Sequence, residues 1–143
     1  MAISNAVANS FKQELLVGTH NFTASSGNTF KLALYTSSAT LGASTTAFTT
    51  SQEASGTNYT SGGNALTSVT PTLASSTAVC DFADLTFGTA TLSGVRGALI
   101  YNSSASNKAV CSLDFGSDKS STAGNFTVVF PSPTATGAII RLA

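Results

Sequence analysis

Apolar side chains recur at every fourth position near the start of the chain: Ile3, Val7, Phe11 and Leu15. That period predicts an α-helix over residues 4–17 with a single apolar stripe. Ser4 or Asn5 is placed to cap its first turn and Gly18 to end it. Asn9, Lys12 and Gln13 fall off the stripe. After His20 the period drops to two. "FKLALYT" (30–36) sets Phe30, Leu32 and Leu34 on one face, and "TAVCDFADLTF" (77–87) aligns Cys80 with Phe82, then Leu85 with Phe87 beyond a bend near Ala83. "TATLSGV" (89–95), "RGALIYN" (96–102), "KAVCSLDF" (108–115), "NFTVVFP" (125–131) and "GAIIRLA" (137–143) continue the series, the last with Ile140 and Leu142 inward. Short β-branched or aromatic segments parted by Gly, Ser, Asn and Pro predict an all-β fold. The expected architecture is an antiparallel β-sandwich, jelly-roll or immunoglobulin-like in strand order, with one short N-terminal α-helix.

Two regions are expected: residues 1–20 as a helix or arm, and residues 21–143 as one β-sandwich domain. The helix either docks on its own domain or inserts into a partner subunit. Residues 37–76 carry no clear period and are dominated by small hydroxyl side chains. They are expected as long surface loops with one or two strands, notably 64–70, ended by Pro71.

Composition narrows the function. Charged residues make up 8% of the 143 residues and formal net charge is zero, against about 25% charged in an average soluble protein. Ser, Thr, Asn and backbone must carry most of the solvation. A surface with so few ions to desolvate suits close packing against other protein. The basic residues Lys12, Lys31, Arg96, Lys108, Lys119 and Arg141 are scattered singly, so no phosphate-binding patch forms and nucleic acid is not an expected partner. No run approaches the roughly 20 apolar residues of a membrane span, and the N-terminus lacks the pattern of a secretion signal.

Chemistry is sparse. His20 is the only histidine, expected in an exposed turn, and serines are too common for a nucleophile to be picked out. "SGTNYTSGGNAL" (55–66) is glycine-rich, but no Gly-Lys-Ser/Thr follows and no helical pattern opens, so its glycines read as turn residues rather than a phosphate cradle. Asp81 with Asp84, and the acids of "DFGSDKS" (114–120), invite a carboxylate pair or a calcium loop, yet lack the required partners and spacing. The second stretch reads as a turn. Cys80 and Cys111 are too few for a zinc site and read as small buried side chains on strands, with a disulfide open only if those strands face each other. No catalytic residue, metal or cofactor is expected, and the chain is not read as an enzyme.

Three stretches, Tyr59-x-x-Gly-Gly-x-x-Leu66, Arg96-Gly-Ala-Leu-Ile-Tyr-Asn102 and Leu113-Asp-Phe-Gly-Ser-Asp118, lie in a chain that resembles small structural proteins of tailed bacteriophages. The resemblance implies a capsid decoration or cement protein that clamps the major capsid protein shell from the outside of the virion. It implies assembly in the bacterial host cytoplasm, where Cys80 and Cys111 stay reduced. Self-association as a dimer or trimer is expected, with no nucleic acid or membrane partner. A tail, adaptor or fibre-knob subunit is the alternative. A carbohydrate-binding module or small hydrolase ranks lower, since the chain has no Trp and three Tyr. The residues put forward for partner contact are Ile3, Val7, Phe11, Leu15, Phe22, Leu41, Phe48 and Tyr59.

Overall fold

"FKLALYT" becomes the strand β2 (Phe30–Thr36), but neither of its faces meets water: Phe30, Leu32, Ala33, Leu34 and Tyr35 are all buried. The reason lies in what surrounds it in the computed structural model, which describes residues 2–143. β2 pairs antiparallel with β7 (Leu85–Asn102) on one side and β4 (Asn64–Ala65) on the other. β7 turns back into β8 (Lys108–Val128), and β1 (Ala6–Val7) pairs with β8, giving the order β1-β8-β7-β2-β4. β3 (Gly56–Thr57) adds to β7 from outside that path. A smaller sheet runs β5-β6-β9, from β5 (Ser68–Ala74), β6 (Thr77–Phe82) and β9 (Ile140–Leu142). The two antiparallel sheets pack as a β-sandwich beside one short helix, α1 (Asn9–Leu16).

Aromatic rings join the layers. Phe22 stacks on Phe30 of β2 (4.2 Å between centroids, 5° between planes), and Phe82 of β6 and Phe11 of α1 close around that pair. Each such contact adds about 0.5–1.5 kcal/mol beyond the area it buries. The opposite face of β2 and β7 is covered by the region between β2 and β4. Leu41 and Ala54 are buried there, and Phe48 stacks on Tyr101 at 4.8 Å. With both faces covered, "LALY" and "ALIY" read as continuous apolar runs, as strands buried on both sides do.

The N-terminal helix is shorter than its stripe suggests. Ile3 and Val7 precede α1 on extended chain: Ile3 bridges to Leu41, and Val7 pairs with Cys111. Ser4 and Asn5 do not cap the helix, because each is tied to a sheet or loop. Ser4 donates its N–H to the Leu41 carbonyl, and Asn5 Oδ1 accepts the Asp114 N–H at 2.7 Å. Gly18 does end the helix in the left-handed region (φ +77°). The whole segment docks on its own chain, with Phe11 2% exposed.

The segments 89–95 and 96–102 are one strand, and 108–115 and 125–131 belong to another that runs from 108 to 128. The Gly and Ser positions that look like breaks are bulges. The register steps from Gly97↔Asp114 to Val95↔Lys119, so residues 115–118 swell out of β8 at Gly116 (φ +78°). "DFGSDKS" is therefore a bulge inside a strand pair, not a turn between strands. The reverse holds at residues 77–87, where the chain leaves the small sheet after Phe82 and enters the large one at Leu85. Pro71 does not stop a strand: β5 passes through it as an edge strand, with the register shifting between Val69 and Thr72.

Candidate binding surface

Exposed large apolar side chains occur at the end of α1 and on the small sheet, besides Val69 toward the start of β5 and Val129 just past β8. Leu16 and Val17, at the end of α1, are 88% and 66% exposed; Leu73 of β5 is 74% and Leu142 of β9 is 55% exposed. Ala78 of β6 pairs with both Leu73 and Leu142, so the three form one cross-strand row on one face of the small sheet. Farther in, Cys80 and Ile140 pair on the same face, and Phe82 is sealed in the core. The sheet thus runs from a closed end at Phe82 to an open mouth at Leu73 and Leu142. Between that mouth and α1 lies a groove of about 450 Å³, with Phe11, Leu15 and Gly18 on the helix side. Leu16 and Val17 fall between the last two in sequence, but of Leu16, Val17, Leu73 and Leu142 only Leu142 lines the groove itself. Exposed apolar side chains gathered at a groove are a recognised mark of an interaction site.

The partner-contact residues expected from the sequence fare unevenly. Ile3, Phe11, Phe22 and Leu41 are core residues, corrected from contact to packing because the aromatic cluster and the covering region enclose them. Val7, Phe48 and Tyr59 are half-buried and engaged internally: Val7 in β1, Phe48 on Tyr101, and Tyr59 through its hydroxyl. Leu15 alone among the eight both lines the groove and keeps a partly open surface. Leu16, Val17 and Leu73 are not among the expected contacts, and Leu142, expected inward with Ile140, is instead 55% exposed at the end of the edge strand β9. A signal for the first two was present, since "LLVG" places two apolar residues off the helical stripe beside a helix-ending glycine.

The glycine-rich loop is structural. Glu53 Oε1 accepts the Tyr59 hydroxyl (2.8 Å) and the Gly62 N–H (2.6 Å), and its Oε2 accepts the Ser61 hydroxyl (2.6 Å). Gly62 and Gly63 both have positive φ, and a Cβ on Gly63 would collide with the Leu32 carbonyl. Here glycine is required by close backbone approach, as its turn reading implied.

His20 is buried, a correction to the exposed turn expected of it. Its ring packs 4.8 Å from Phe11, with Nδ1 3.0 Å from Asn102 Nδ2 and Nε2 3.9 Å from Glu14 Oε1. Burial pulls its pKa below the usual 6.5, against the raising effect of Glu14. Arg96 gathers Asp114 and Asp118 at 3.2 Å each. Asp84 Oδ1 accepts the Phe130 N–H. Glu14, Glu53, Asp84, Asp114 and Asp118, five of the six acidic residues, are thus each engaged by another group of the same chain. Cys80 and Cys111 are free thiols on strands of opposite sheets. Burial pushes them to about 11 and about 12, so neither is a ready nucleophile at neutral pH. Among the described residues no three His, Cys, Asp or Glu side chains gather as a metal site would require. Compared with protein-family models, curated proteins and solved structures, the chain matches none.

Proposed function

We propose that this chain is a structural virion protein of a tailed bacteriophage, of the capsid decoration or cement type, that binds the major capsid protein shell. The observation that carries the reading is the apolar groove lined by Leu15, Ala78 and Leu142, in a chain with very few charges. Leu73 is exposed in the same cross-strand row, and Leu16 and Val17 are exposed at the end of the helix that bounds the groove. Adhesion there explains why large aliphatic side chains stay in water while the acids are used internally. A cement protein adds binding free energy only while the shell subunits remain adjacent, and so opposes their separation. Repetition over a shell multiplies modest contacts of about 800 Å² per partner.

Purified shells lacking the chain are expected to bind it at a fixed ratio and then to resist heating better. Leu16→Asp and Leu73→Asp each remove a side chain whose burial is worth about 1.5–3 kcal/mol. Each is expected to weaken attachment roughly tenfold to hundredfold while the free protein stays folded. Binding to isolated tails in place of shells would establish the adaptor or fibre-knob alternative, and binding to neither would end the virion reading.

A further inference from the structure

His20 sits where three parts of the chain meet: α1 through Glu14, the segment after α1 through Asn28, and the β7–β8 hairpin through Asn102 and Lys108. Hydrogen bonds decide which ring nitrogen carries its proton. The Asn102 amide cannot be reversed, because Nδ2 also donates to Asn28 Oδ1 (3.0 Å) while Oδ1 accepts the Ser104 N–H (3.0 Å). Asn28 Oδ1 is fixed as an acceptor in turn by the Asn21 N–H at 2.8 Å. The Nδ2 that faces His20 is therefore a donor, and Nδ1 of the ring must accept. The neutral ring carries its hydrogen on Nε2, on the side of Glu14.

A second proton can bind only at Nδ1, where it would meet the Asn102 N–H donor to donor. We propose that His20 is a proton-operated latch: protonation breaks its bond to Asn102 and loosens residues 9–28 from the β7–β8 hairpin. Two charged groups face the ring, Glu14 from α1 and Lys108 from β8, and they oppose one another: the carboxylate favours the charged ring and the ammonium disfavours it. Lys108 Nζ lies 3.0 Å from Glu14 Oε2, so the carboxylate is already paired. Phe11 and Phe30 flank the ring with apolar surface, which also disfavours a charge there.

The direction follows from linkage. The unlatched segment takes up a proton near pH 6.5, whereas the latched ring resists it to lower pH. The latched form is thus fully favoured above about pH 6.5. It loses ground as pH falls from there toward the ring's own lower pKa, by up to about tenfold per pH unit. The latch is independent of the shell-binding reading, since it concerns contacts within one chain.

Because His20 is the only histidine, its imidazole resonances are unambiguous in the full-length protein. Nitrogen shifts at pH 7.5 should show hydrogen on Nε2, and the titration midpoint should lie below 6.5. Amide exchange of residues 10–28, corrected for intrinsic rate, should quicken between pH 7 and pH 5 relative to residues 97–101. His20→Gln should abolish that pH dependence. Hydrogen on Nδ1, a midpoint at or above 6.5, or equal exchange in both segments would each overturn the latch. If His20→Gln fails to fold, the titration and exchange of the parent protein still decide.

Discussion

Residues 53–63 and residues 115–118 are both irregular, and each is gathered by one charged side chain, yet the two are built in opposite surroundings. Glu53 works against the covered face of the large sheet. It holds the Tyr59 hydroxyl, which in turn accepts the Leu34 N–H at 2.9 Å, and Tyr101 donates to the Gly62 carbonyl at 2.6 Å. Burial raises the Tyr35, Tyr59 and Tyr101 hydroxyls above their ordinary range, so all three remain protonated and can donate. Arg96, by contrast, spans its bulge from the outside, where both ion pairs are substantially exposed. Water is partly displaced around the first hub, where only the Ser61 bond is exposed, and remains around the second. Hydrogen bonds to a charge contribute about 1.5–3 kcal/mol where solvent is excluded, while exposed ion pairs often contribute nothing measurable. The same motif of one ion drawing in a loop is a stability element in one place and a shape element in the other.

The sharpest way to break the covered region is through its backbone. Gly63→Ala places a Cβ against the Leu32 carbonyl at a residue with φ +69°. Neither backbone can yield without opening the β2–β4 pairing. The expected loss is above about 4 kcal/mol, measured by denaturant titration. Leu99→Ala, at a fully buried position of β7, is expected to cost about 2–5 kcal/mol. A Leu99 loss as large as that of Gly63 would mean that packing, not backbone approach, limits this region.

These positions also show what the sequence makes legible. Alternation and turn chemistry are local properties, so the sandwich, the small helix and the turn role of Gly62 and Gly63 follow from neighbouring residues alone. Strand continuity does not. Gly94 and Gly116 look like strand ends, yet the two strands of the hairpin continue past them because each is bulged against its partner. Ile3 and Val7 fit a helical period by spacing, but their pairing with Leu41 and Cys111 is set by distant chain. The apolar mouth was the least legible feature. Whether Leu73 or Leu142 is covered depends on where the small sheet parts from α1, and no residue near them in sequence records that.

Glu53→Ala removes three hydrogen bonds to a partly buried carboxylate. The expected loss is about 2–3 kcal/mol, together with faster amide exchange at Gly62 and Leu34. A loss near zero would place the covered loop's stability in Phe48 and Leu41 and make the two charged hubs equivalent.

Arg96→Ala should do least, and its value is in separating two causes. The Asp114 carboxyl is held below its ordinary pKa first by the Gly116 N–H, at 2.9 Å, and then by Arg96. A depressed carboxyl supports the fold above its ordinary pKa, and that support is lost as pH falls through the lower folded value. Because the group is exposed, the variant is expected to keep its denaturation midpoint at neutral pH. Asp114, followed through its carboxyl carbon resonance, should still titrate below the ordinary range, since the backbone hydrogen bond within the bulge survives. Amide exchange at residues 115–118 should quicken, because the link from Asp118 back to β7 is gone. A return of Asp114 to its ordinary pKa would mean that the bulge loses its shape without Arg96, and that the exposed ion pairs determine more of this hairpin than their solvent exposure implies.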